Sequence, residues 1–87
     1  MRTLKRIIYV YEEKIVIKGH HFKYEMRKAT KKNSENTLYT SYTLYDSEAS
    51  DLLIEVMIPT YEGMKEIAEA YLTGDKQALE EAKRIWC

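Results

Sequence analysis

The sequence predicts an α+β fold: a four-stranded antiparallel meander sheet with a C-terminal two-helix hairpin packed on one face. Residues 3–58 carry runs of β-branched and aromatic residues separated by short polar connections. Pro59 closes that region, and the apolar residues of 60–86 recur at helical spacing. With 87 residues the chain suits one domain, 1–87. Its core is expected to be thin, since so short a chain buries only about 60–65% of its unfolded surface.

The elements follow in order. Thr3–Tyr11 is apolar on both parities and suits a strand that is central in the sheet or covered on both faces. Glu12-Glu13 offers a polar turn into Lys14–Lys18, where Ile15 and Ile17 share a face. From His20 to Lys28 the pattern alternates, with Phe22, Tyr24 and Met26 on one side and His21, Lys23, Glu25 and Arg27 on the other. The apolar parity changes at Gly19. A β-bulge there would keep Ile15 to Met26 in one bent strand, and this is the expectation. A turn at Gly19 is the alternative and would make a fifth strand. Lys28–Asn36 is a polar loop, and Thr37–Tyr45 returns as a strand with Leu38, Tyr42 and Leu44 on one face and Tyr39, Thr43 and Tyr45 on the other. Asp46–Asp51 connects to Leu52–Ile58, where Leu52, Ile54, Val56 and Ile58 are expected inward.

Thr60 is a suitable N-cap, with Glu62 in the first turn. The first helix spans about 60–73, with Met64, Ile67, Ala68, Tyr71 and Leu72 as its stripe. Thr73-Gly74 ends it. Asp75 caps a second helix over about 75–86, with stripe Ala78, Leu79, Ala82, Ile85 and Trp86.

The function classes narrow by exclusion. Cys87 is the only cysteine, so no disulfide or Cys metal motif is expected. The apolar run Ile7–Tyr11 is too short for a signal sequence and no stretch approaches the ~20 apolar residues of a spanning helix, so a cytoplasmic protein without membrane contact is expected. His20 and His21, adjacent on a strand, point to opposite faces and do not chelate one metal together. No nucleophile or orienting acid is identifiable by spacing, so no catalytic residue, metal or cofactor is expected.

The net charge of zero hides a split. Residues 1–33 carry ten bases against three acids, +7, and residues 34–87 carry four against eleven, −7. Such asymmetry points to an electrostatic partner, or to halves that neutralise each other in the fold. Arg27, Lys28, Lys31 and Lys32 form a basic hairpin tip able to meet phosphates or an acidic protein surface. With Lys23, His21, Tyr39 and Tyr45 they are the candidate partner-binding or nucleic-acid-binding residues. Tyr24 and Tyr42 are expected to fill the core instead. Asp46, Glu48, Asp51, Glu62, Glu66 and Glu69 form the candidate acidic surface, able to mimic phosphates toward a basic channel. The uncovered sheet face is the expected working surface, or a homodimer interface.

A protein partner is therefore expected, engaged by a non-enzymatic protein that occupies its surface. In its small size, charge split and tyrosine content the chain is similar to phage-encoded inhibitors of bacterial defence complexes, such as anti-CRISPR proteins. That resemblance implies an inhibitor of a host nucleic-acid-targeting complex. Direct RNA or DNA binding by the basic tip and sheet tyrosines is a second expectation, and a small-ligand or nucleotide-binding oligomer a third.

Overall fold

A computed structural model describes residues 5–31 and 37–87, with the side chains of 10–28 and 39–87. Four antiparallel strands form one sheet in chain order: β1 (Lys5–Ile17), β2 (His20–Lys31), β3 (Thr37–Asp46) and β4 (Leu52–Ile58). Helices α1 (Tyr61–Leu72) and α2 (Lys76–Trp86) complete the expected α+β architecture. Lys32, the rest of the loop to Asn36, and Thr3 lie outside the described residues.

Three strand boundaries differ from the sequence expectation. Residues 28–31 continue β2 instead of opening the loop, so that Arg27 and Lys28 lie within the strand rather than at a hairpin tip. Glu12-Glu13 is not a turn but the middle of β1, opposite Glu25 and Tyr24 of β2. Gly19 is not a bulge but the second residue of a tight reversal, where Ile17 pairs with His20 and Lys18 and Gly19 have φ of 50° and 79°. Two consecutive positive φ values define the two-residue turn whose twist matches a right-handed sheet. Glycine adopts this conformation freely, whereas Lys18 does so at a cost of about 1–2 kcal/mol. The sheet keeps four strands because the turn gained at Gly19 replaces the one expected at Glu12-Glu13.

The turn sets which side chains meet. Across β1 and β2, Ile15 faces Phe22 and Glu13 faces Tyr24; across β2 and β3, Tyr24 faces Leu44 and Met26 faces Tyr42. Phe22, Tyr24 and Leu44 are buried on this inner face. The first helix lies on it, inserting Met64, Ile67 and Ala68, all fully buried. Each large side chain so removed from water contributes roughly 1.5–3 kcal/mol. Thr60 caps α1 by accepting the Gly63 amide at 2.9 Å, and Asp75 caps α2 by accepting the Gln77 amide at 2.9 Å.

The strand β4 departs from simple alternation. Only Ile54 and Ile58 are buried, while Leu52 and Val56, expected inward, are exposed. The pairs Tyr42–Ile58, Leu44–Glu55 and Tyr45–Leu53 show the reason: β4 carries two extra residues against β3. Met57, with φ of 58°, lies within the first irregularity. Each such bulge shifts the inward parity by one.

The second helix buries no residue completely and packs chiefly on α1, with Leu79, Ala82 and Trp86 against the margin of the core. Trp86 takes its inner corner, and Ile85, expected in the stripe, is 66% exposed. Gly63 makes the close approach possible. A Cβ there would lie 3.0 Å from Trp86 Cβ and 2.9 Å from the capping Thr60 Oγ1.

Gly63→Ala is therefore expected to lower stability by about 1–3 kcal/mol and to shift the emission of the sole tryptophan to the red. Denaturant unfolding with fluorescence checks it; unchanged stability with unchanged emission would contradict the packing. Lys18→Asn, better suited to positive φ, is expected to raise stability by up to about 1 kcal/mol in the same experiment.

Candidate functional site

The outer sheet face carries several of the sequence candidates. Val10, Glu12, Lys14 and Val16 of β1 lie beside Arg27, Glu25, Lys23 and His21 of β2 in that order. Facing pairs therefore match like with like, Glu12 against Glu25 and Lys14 against Lys23, and the charges neutralise along diagonals. Lys23 Nζ lies 3.6 Å from Glu12 and 3.4 Å from Asp51, and 4.8 Å above the Tyr45 ring. Loss of hydration alone would lower the Lys23 pKa, and these carboxylates carry it above the usual value instead. Arg27 meets Glu25 at 3.2 Å, and Tyr45 donates its hydroxyl to the same carboxylate at 3.3 Å. The cationic candidates of the sheet centre are thus already engaged by acids of the chain itself. Tyr39 is exposed at the other end of β3, the Lys28 side chain is half-buried, Lys31 is described in its backbone alone, and Lys32 lies outside the described residues.

The acidic candidates divide. Glu48, Asp51, Glu62 and Glu66 are exposed, and Glu69 lies 3.8 Å from Lys18. Asp46 is a correction: it is only 3% exposed and is no part of an acidic surface. It follows Tyr42 and Leu44 on the inner parity of β3, facing Phe22. A carboxylate there must be compensated by hydrogen bonds.

Three groups do so. Tyr71 of α1 donates its hydroxyl to Oδ2 at 2.5 Å. His20 Nε2 lies 2.7 Å from Oδ1, and the Glu48 amide donates to Oδ1 at 2.9 Å, capping the short 3-10 turn Ser47–Ala49. Burial alone would raise the Asp46 pKa. The bonds from Tyr71, His20 and the Glu48 amide outweigh burial and hold it below the ordinary carboxylate value. Tyr71 is pushed up to about 12, first by its bond to Asp46 and then by burial.

This cluster, which sequence reasoning missed, contains a His–Asp pair but lacks the layout of a catalytic dyad. The second ring nitrogen of His20 faces the Glu48 carboxylate at 3.7 Å instead of a hydroxyl or thiol. One imidazole nitrogen is thus bonded to Asp46 while the other faces Glu48, and the ring lies tilted against Phe22 with centroids 4.9 Å apart. The cluster ties β2, β3 and α1 together. Its one legible signal was Asp46 itself, an acid at the inward position after Tyr42 and Leu44.

A second cluster lies at the start of α1. The rings of Tyr24, Tyr42 and Tyr61 are mutually 5.8–6.0 Å apart, and Tyr24 donates its hydroxyl to Glu13 at 3.0 Å. Burial raises the pKa values of Tyr24 and Tyr42, so both stay protonated at neutral pH. The expected core role of these two tyrosines agrees with their places in this cluster.

A cleft of 420 Å³ runs between the helices past Glu66, Glu69, Ala82, Ile85 and Trp86 and is open and acid-rimmed. Among the described residues no group of three or more His, Cys, Asp or Glu is placed to hold a metal ion. No described helix is long and apolar enough to cross a membrane. The Cys87 thiol is pushed up by burial and then by Glu55, against the pull of Lys83, which makes it a weaker nucleophile at neutral pH.

The signs of the shifts give a pH window. The lowered Asp46 pKa contributes stability that is present above about pH 4, the unfolded carboxyl value, and lost as pH falls through the lower folded value. The raised Tyr71 pKa contributes stability that is complete below about pH 10 and lost as pH rises through about 12. Tyr71→Phe is expected to cost about 1–3 kcal/mol at neutral pH and to flatten the acid limb of the stability curve. Thermal unfolding across pH checks this, and an unchanged acid limb would remove Tyr71 from the account. In comparison with known proteins, the chain matches no family model, no curated protein and no solved structure.

Proposed function

We propose that the chain is a non-enzymatic binding protein that acts by occupying the surface of a protein partner. The supporting observation is β4. This seven-residue edge strand keeps Leu52, Leu53, Val56 and Met57 between 44% and 59% exposed. Leu53 pairs with Tyr45, so the apolar stretch runs onto the outer sheet face beside the Lys23–Asp51 contact. Apolar side chains gathered at one edge and rimmed by charge have the makeup of a protein-binding surface.

The bulges of β4 and Pro59 disfavour docking by backbone pairing, so recognition there rests on side chains. Nucleic-acid binding draws less support. Lys23 and Arg27 already have acidic partners in the fold, and freeing them costs part of what phosphate contacts would return. A host nucleic-acid-targeting complex is the partner to which this reading extends, on the makeup of the chain rather than its geometry.

Affinity capture from host lysate, run in parallel on variants, tests the reading. Leu53→Lys/Met57→Lys is expected to abolish capture of a specific protein while circular dichroism stays native, and Arg27→Glu is expected to retain it. Oligonucleotide binding that steepens at low salt and disappears in Arg27→Glu, with capture indifferent to the β4 changes, would overturn it.

A further inference from the structure

The two sheet edges are built differently. On β4 two bulges, a positive φ at Met57 and Pro59 interrupt the edge. Residues 10–17 of β1 pair with β2 without register shift and contain no proline, and no described strand pairs with their far side. A regular open edge of that length is a template for another strand. The hairpin geometry says which groups are available. Ile17 and His20 close the two-residue turn and exchange both hydrogen bonds, so the alternation of antiparallel pairing turns the N–H and C=O groups of Val16, Lys14, Glu12 and Val10 outward.

We infer that a second copy of this chain pairs antiparallel with this edge, β1 to β1, about a two-fold axis at Glu13, giving a continuous eight-stranded sheet. The surface is separate from the β4 edge and does not depend on the function proposed above. The segment Val10-Tyr11-Glu12-Glu13-Lys14-Ile15-Val16 is complementary to its own reverse. In this register Glu12 faces the partner's Lys14, and Lys14 faces the partner's Glu12. Val10 and Val16, 54% and 57% exposed in the single chain, face each other across the junction. On the inner face Tyr11 meets the partner's Ile15. Shifting by two residues one way sets Glu12 against the partner's Glu12, and the other way Lys14 against the partner's Lys14.

Within one chain Lys14 faces Lys23 and has no acidic contact among the described residues, so the pairing supplies the counter-charge that the fold leaves out. One unfavourable contact remains: Glu13 lies on the axis and faces the partner's Glu13, although each also accepts a Tyr24 hydroxyl. A symmetric, self-complementary contact of this kind closes at two copies.

Sedimentation velocity of the full chain over a concentration series up to the millimolar range tests the inference. A reversible species of twice 10.3 kDa is expected, and a 10.3 kDa species at every concentration overturns it. Glu12→Lys sets like charges together twice across the axis and is expected to weaken the dimer at least about fivefold. Glu12→Lys/Lys14→Glu is expected to restore it, and Glu13→Gln to tighten it. A double variant as weak as the single one, or Glu13→Gln without tightening, overturns the register. Should Glu12→Lys fail to fold by circular dichroism, a mixed isotope-labelled wild-type sample decides: a contact between Tyr11 Hα and Ile15 Hα of different copies supports the pairing, and its absence in a sample that sediments as dimer overturns it. Leu53→Lys/Met57→Lys is expected to leave the dimer unchanged.

Discussion

The reversal at Lys18-Gly19 is the constraint on which the rest of the structure depends. Side chains on a strand alternate between faces, so a hairpin register displaced by one residue exchanges the entire set of inward groups. With the turn closed by Ile17 and His20, the inward set includes Ile15, Phe22 and Tyr24, and the outward set Val16, His21 and Lys23. The β2–β3 register then places the inward Phe22 against Asp46 of β3, which puts a carboxylate where α1 can reach it. The left-handed conformation of Lys18 is the local strain that the packed inner face offsets.

In so small a chain the apolar core is thin, and polar and aromatic contacts supplement it. Met64, Ile67 and Ala68 anchor α1 on the sheet, while the Tyr71–Asp46–His20 cluster and the Tyr24–Tyr42–Tyr61 rings fix its two ends. The second helix depends on the first, through the space that Gly63 leaves for Trp86. Damage at Gly63 is thus expected to reach α2 before the sheet. The bond to the buried Asp46 carboxylate also makes His20 a strut between β2 and β3.

The helices were legible almost to the residue, because caps at Thr60 and Asp75 and apolar spacing of about 3.6 residues are local signals. Strand existence and most facings were legible too, since alternation is also local. What escaped was set by pairing. Glu12-Glu13 reads as polar turn chemistry, yet each acid has an acceptable place in a long edge strand, one beside Lys23 and one on the Tyr24 hydroxyl. The Lys18-Gly19 turn lacks the Asn or Asp that advertises such turns. The β4 bulges leave no mark in its seven residues, whose outward Leu52 and Val56 look like core. Of the candidate binding residues, Lys23 and Arg27 were found as basic strand positions, but their neutralisation by Glu12, Asp51 and Glu25 required the register.

The self-complementary β1 edge follows from which residues that register turns outward, whereas the apolar β4 edge follows from its two bulges against β3. The most direct test is therefore the β1–β2 register in solution. In antiparallel sheets the Hα atoms of pairs that do not exchange hydrogen bonds lie close together. Nuclear Overhauser spectroscopy is predicted to show Hα–Hα contacts for Val16–His21, Lys14–Lys23, Glu12–Glu25 and Val10–Arg27. Absence of these contacts, or a chain reversal at Glu12-Glu13 in their place, would contradict the account.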